Sequence, residues 1–202
     1  AIGTVEATDV DGDTLTYSIS GSDITINSAT GVISFASAPD YETTTSYSAS
    51  VTVSDGSMED SQDITVSINN LNDNDPIITS SSTFNNTENT TEVGTITATD
   101  ADNDTLTYSL SAVTSSSSDV QDFQIDSSSG VLTFKEASDF EDANSFTFFV
   151  TASDGSRSDT DQITVTVIDA NDPPVFSSVT DDDGNLVFSA DENQRSIGTV
   201  TA

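Results

Sequence analysis

The stretch Asn72-Asp73-Asn74-Asp75-Pro76 returns 99 residues later as Asn171-Asp172-Pro173-Pro174. Each copy follows an alternating apolar run: Ile64, Val66 and Ile68 before the first, Ile163, Val165 and Val167 before the second. Period-two alternation marks a strand with one buried and one wet face. Proline cannot extend a strand ladder, so each copy is a joint between a strand and whatever follows. Carboxylates and amides gathered at such a joint offer hard oxygen ligands to a divalent cation more readily than they offer catalysis.

Working outward, both joints close the same unit. Gly3-Thr4-Val5-Glu6-Ala7-Thr8-Asp9-Val10-Asp11 reappears as Gly94-Thr95-Ile96-Thr97-Ala98-Thr99-Asp100-Ala101-Asp102, an offset of 91. At an offset of 99, Gly31-Val32-Ile33-Ser34-Phe35 matches Gly130-Val131-Leu132-Thr133-Phe134, Asp40-Tyr41-Glu42 matches Asp139-Phe140-Glu141, and Ser54-Asp55-Gly56-Ser57 matches Ser153-Asp154-Gly155-Ser156. The eight extra residues fall between Ser111 and Asp122, against Ser20 to Asp23 in the first copy, where a surface loop tolerates them. Self-similarity of this kind divides the chain into residues 1–74, a first unit lacking the start of its first strand; residues 75–172, a second unit; and residues 173–202, a first-strand fragment of a third.

Within each unit the apolar residues alternate: Leu15, Tyr17 and Ile19; Tyr47, Ala49, Val51 and Val53; Phe146, Phe148, Val150 and Ala152. Ser-Asp-Gly-Ser between two such runs is a hairpin signal. No helical period of useful length occurs, so the expectation is all-β sandwiches with helices nearly absent.

Composition narrows the function. Lys and Arg total 3 against 35 Asp and Glu, a net charge of −32. A nucleic-acid partner needs a basic patch, and anionic membrane surfaces repel such a chain. With no Cys and no His, disulfides, zinc sites and the usual nucleophile–base pairs are absent. The carboxylate pairs of a glycosidase could be assembled on paper, but each has a simpler role as a cation ligand, so the chain is not expected to be an enzyme. No apolar run is long enough to insert in a membrane.

The acids recur at fixed places: Asp9-Val10-Asp11 and Asp100-Ala101-Asp102 with Asp104 close behind, Asp40/Glu42 and Asp139/Glu141 mid-unit, Asp55 and Asp154 at the hairpins, and Asp73 and Asp172 at the joints. The first of these superficially matches an EF-hand loop, but no Glu stands at its twelfth position and its flanks are strands. In order and spacing the whole set resembles tandem cadherin repeats. That family's calcium pattern combines a first-strand Glu, Asp-x-Asp, Asp-x-Glu, a late-turn Asp and an Asp-x-Asn-Asp-Asn-x-Pro linker, and all five parts have matches here.

The resemblance implies seven-stranded, Ig-like Greek-key sandwiches with Ca2+ between them. It assigns the first junction to Asp40, Glu42, the Leu71 carbonyl, Asn72, Asp73, Asn74, Asp100, Asp102 and Asp154, with Asp104 as an added ligand. The second junction takes Glu88, Asp139, Glu141, Asn171 and Asp172, with Glu192 as the third unit's counterpart of Glu88. Asp9, Asp11 and Asp55 are the equivalent positions of the first unit. Six carboxylates at the first junction (Asp40, Glu42, Asp73, Asp100, Asp102, Asp154) would balance the three ions the family holds there. Asn70 stands where the family has the linker's first Asp, and the second linker, with Pro173-Pro174, is one residue shorter.

The function so implied is an extracellular or cell-surface adhesion or spacer module, stiffened by interdomain calcium, with adjacent repeats as its partners. The cysteine-free, Thr/Ser-rich repeats look like extender regions of large bacterial surface adhesins. Pairing of the terminal strand with another copy is a further expectation. The alternative is a carbohydrate-binding module for a polysaccharide, with Phe149, which lies off the core alternation, as its aromatic platform.

Overall fold

The computed structural model describes residues 1–114 and 119–173. The third unit from residue 174 onward, including Glu192 and the terminal strand expected to pair with another copy, lies outside the described residues.

The first unit holds β1 (Gly3–Thr4), β2 (Thr16–Ile19), β3 (Ile24–Ile26), β4 (Val32–Phe35), β5 (Ser46–Ser54) and β6 (Glu59–Ser67). They form two antiparallel sheets, β1-β4-β3 and β2-β5-β6. The second unit holds β7 (Ile77–Ile78), β8 (Thr83–Thr87), β9 (Glu92–Thr95), β10 (Ala98–Thr99), β11 (Thr107–Ala112), β12 (Phe123–Ile125), β13 (Val131–Phe134), β14 (Ser145–Ser153) and β15 (Ser158–Ile168). Its sheets are β12-β13-β9 and β11-β14-β15-β8, with β7 and β10 paired alongside. Counting the two interrupted strands, β7/β8 and β9/β10, as one each gives the seven strands of an Ig-like Greek-key sandwich. A 3-10 turn, Asp119–Asp122, lies in the longer loop of the second unit. Among the described residues no helix is long and apolar enough to cross a membrane.

The first strand of the second unit changes sheets. β7 pairs antiparallel with β10, the chain breaks at Ser80–Ser82, and β8 then runs parallel to β15, with Phe84 opposite Val165 and Asn86 opposite Val167. This corrects one expectation. Gly3–Thr4 pairs with β4 as β9 pairs with β13, so β1 is the counterpart of the second strand and not of a shortened first one. Residues 1–74 contain no counterpart of β7 or β8.

The alternating residues lie where their period puts them. Phe148, Val150, Ala152, Ile163, Val165, Leu132 and Ile96 are essentially inaccessible. Phe123, Phe134, Phe146 and Phe148 pack as a ring cluster with centroids 4.2–5.3 Å apart. The repeated Gly-Val of each unit answers a steric need. At Gly130, with φ +70°, a Cβ would sit 2.2 Å from the Ile96 carbonyl oxygen, and at Gly31, with φ +69°, 2.3 Å from that of Val5. Only glycine fits a left-handed residue against a neighbouring backbone this closely.

Candidate metal centres at the unit junctions

The first junction is built from three separate stretches of chain. Glu42 comes from the turn before β5, Asp73 from the linker and Asp102 from the turn after β10, and carboxylate oxygens of all three lie within 4.8 Å of one another. Asp102 also belongs to a second group, with Asp100 and Asp104, within the same distance. It is only 3% exposed, an unusual place for a carboxylate. Its Oδ2 accepts the amides of Asp73 (3.0 Å) and Asn74 (2.8 Å), and its Oδ1 accepts the Asn74 side-chain amide (3.0 Å). Burial opposes ionisation of Asp102, but these amides outweigh it and draw the carboxyl below the usual range. Glu42 behaves oppositely. Burial, with Asp40 and Asp102 close by, pushes its carboxyl above its ordinary value.

Three oxygens at this joint are buried without any hydrogen-bond partner: Asn72 Oδ1, Asp100 Oδ2 and Asp154 Oδ2. Buried acceptors are nearly always satisfied, and three orphaned oxygens at one joint are donors that an oxygen-preferring cation could satisfy. Asp154 is otherwise occupied, since its Oδ1 caps the β14–β15 hairpin by accepting the amides of Ser156 and Arg157, both at 2.6 Å. The Asn72 side chain lies beside it. The donor set of carboxylates and an amide oxygen, with no sulfur or imidazole, fits Ca2+ and not zinc.

Asp40 is less central than the spacing suggests. It closes its own turn, accepting the Glu42 and Thr43 amides at 3.0 and 3.2 Å and the Thr43 hydroxyl at 2.9 Å. The Thr43 hydroxyl and amide hold its carboxyl below the usual value. Leu71 sits on the linker with its side chain exposed.

Glu88, Glu141 and Asp172 form the corresponding group at the second junction, again within 4.8 Å. Glu88 follows β8 and is 2% exposed, its Oε2 accepting the Phe140 amide (2.8 Å) and its Oε1 the Ala170 amide (2.6 Å). Burial first, and then the charge of Glu88, raises the Glu141 carboxyl. Asp139 accepts the Glu141 amide (2.9 Å), repeating the role of Asp40. Exposed Asn171 donates to the Asp172 carbonyl. In the first unit Asp9 closes its own turn on the amides of Asp11 and Asp13, and Asp55 caps its hairpin on Ser57 and Met58. Among the described residues Asp9, Asp11 and Asp55 form no three-carboxylate group.

Two contacts escaped the sequence reading. Asn70, which stands for the linker's usual Asp, donates its side-chain amide to the Asp102 carbonyl (2.7 Å), tying linker to upper unit without a charge. Arg157 reaches the linker's Asp75 at 2.9 Å. No spacing rule signals either one, because each joins the linker to a loop far from it in the chain. Phe149, the expected sugar platform, pairs with Ser111 and Gln162 and is partly buried, and no aromatic ring is exposed among the described residues.

Residues 80–168, from just past the linker to the end of β15, match the family model of the cadherin domain. The second unit is a cadherin domain. The similarity extends over the first unit as well. The chain is 32% identical over 189 residues to the cadherin EGF LAG seven-pass G-type receptor 2 of Mus musculus, covering 85% of the chain but 6% of that receptor's length. It is 41% identical over 92 residues to protocadherin Fat 4 of Mus musculus, 42% of the chain and 2% of that protein. Among solved structures, the EC1-2 pair of human protocadherin-24 superposes with a TM-score of 0.69 at 23% identity, over 84% of this chain and 88% of that one. Human CDH23 EC21-23 gives 0.72 at 22% identity, over 87% and 70%. Cadherin domains of this kind are extracellular or cell-surface adhesion modules, and this chain has their fold.

Proposed function

We propose that the chain is a calcium-binding spacer or adhesion module in which Ca2+ at the junctions fixes the angle between successive cadherin sandwiches. One observation carries the reading: Asn72, Asp100 and Asp154 each bury an unpartnered oxygen where Glu42, Asp73 and Asp102 converge from both units and the linker. A bare cluster is self-repelling. Two carboxylates ~4 Å apart cost roughly 4 kcal/mol at an effective dielectric near 20, so an empty joint opens. Divalent ions reverse the sign of that term, and because the ligands come from both units, binding and interdomain order are one process. The second junction, with Glu88, Glu141 and Asp172, repeats the arrangement on its lower side. Non-enzymatic function follows from the same assignment, since the clustered acids are ligands. The relatives reported above are mouse and human proteins, so origin in a bacterial surface adhesin draws no support from them.

The test is a calorimetric calcium titration of the chain, paired with small-angle scattering in calcium and in chelator. Saturable binding with a longer, narrower particle in calcium is expected. Dimensions that ignore the chelator, or the absence of binding, would sink the proposal.

A further inference from the structure

Arg157 is one of only three cationic side chains in a chain of 35 acids, and it sits among the proposed ligands of the first junction. Its main chain is locked to Asp154, whose Oδ1 accepts the Arg157 amide at 2.6 Å. Its guanidinium crosses from the β14–β15 hairpin to the linker and donates to Asp75 Oδ1 at 2.9 Å, the one ion pair among the described residues. Asp73 and Asp154 lie near enough to act on its charge. The counterpart position in the first unit is Met58, and the second linker, Asn171-Asp172-Pro173-Pro174, is a residue shorter with proline where Asp75 would fall. The pair therefore belongs to this junction alone.

Resting on the calcium reading, we infer that Arg157 is a built-in counter-charge of the first junction, which neutralises part of its acid cluster and thereby lowers its affinity for the divalent ion. As an exposed ion pair, Arg157 and Asp75 contribute little to stability. The positive charge nevertheless stands permanently beside a site that must accept two more. Arg157 is thus a positioning and affinity-setting residue and not a ligand.

The experiment is a calcium titration by calorimetry of the whole chain at low ionic strength, as wild type, Arg157→Met and Arg157→Lys. Removing one unit charge beside the acid cluster tightens divalent-ion binding about three- to ten-fold in Arg157→Met. Arg157→Lys keeps the wild-type affinity, and near 1 M salt, where the screening length is about 3 Å, the difference vanishes. Damage to the fold would weaken binding, so the sign separates the two explanations. Met already occupies the counterpart position, exposed, in the first unit; Arg157→Gln is the second variant should Arg157→Met fold poorly. In an Asp102→Ala background the tightening disappears, which assigns it to this junction. Wild-type binding with an Arg157→Met affinity unchanged or weaker overturns this inference alone. A wild type that binds no calcium overturns the calcium reading and the inference with it.

Discussion

Asp126 stands where the first unit has Asn27, and the two side chains cap the same turn. Asn27 Oδ1 accepts the amides of Ala29 and Thr30, both at 3.0 Å. Asp126 Oδ1 accepts the amides of Ser128 (3.0 Å) and Ser129 (2.8 Å), and both serine hydroxyls as well. The Ser129 amide, then the hydroxyls, hold the Asp126 carboxyl far below the usual carboxylate range. A depressed folded value means that its stabilisation is complete above the ordinary Asp value and drains away as pH falls below it. Asn keeps the cap but cannot titrate. Asp126→Asn is therefore expected to lose less stability than wild type between about pH 4 and pH 2 in paired denaturant melts, and parallel curves would refute this. The turn itself was legible, because Asx residues close such loops on their own amides. The strength of the cap was not, because it depends on two serine hydroxyls rotating toward one oxygen.

Strands β6 and β15 show what an alternating pattern encodes. Ile64, Val66 and Ile68 read the same as Ile163, Val165 and Val167, and in both sets they are less exposed than the residues between them. Burial differs sharply: Ile163 and Val165 are 0% and Val167 1% exposed, whereas the first-unit set is only partly buried. The cause is β8, which runs alongside β15 and brings Phe84 against Gly94, where a Cβ would meet the ring at 2.8 Å. In the first unit nothing lies within 4 Å of the equivalent Gly3 position. Period two says which face turns inward, and the neighbouring strand decides how far water is excluded. Ile163→Ala is expected to cost about 3–4 kcal/mol and Ile64→Ala about 1 kcal/mol by chemical denaturation. Equal costs would contradict this account of the edge. The sheet switch from β7 to β8 was invisible beforehand, since Ile77-Ile78 and Phe84-Asn86 carry no shared alternation.

Across the whole molecule, Glu42 and Glu141 occupy matching places and respond to pH alike. Burial comes first for both; Asp40 and Asp102 then act on Glu42, and Glu88, Asp139 and Asp169 on Glu141. A raised acid stabilises the metal-free fold below its ordinary value and withdraws that support as pH rises through the raised one. In chelator, thermal stability should therefore climb as pH falls toward the ordinary Glu value, and in calcium the trend should reverse as protons compete for the ligands. Glu42→Gln/Glu141→Gln is expected to flatten the chelator profile; an unchanged slope in the double variant would show that other groups set it. The period of the strands and the glycines of the tight turns were enough to read an all-β sandwich, and the order of the acids along the chain to expect them gathered at its joints, because those are local requirements of backbone and side chain. Tertiary structure alone decided that Asp102 is buried on two linker amides, that Asp40 serves its own turn, that Asn70 and Arg157 bind the linker to the upper unit, and that Gly3–Thr4 pairs with β4 as β9 pairs with β13. Each of these depends on which distant segments meet, and a distance in space between two loops leaves no period or spacing in the chain that forms them.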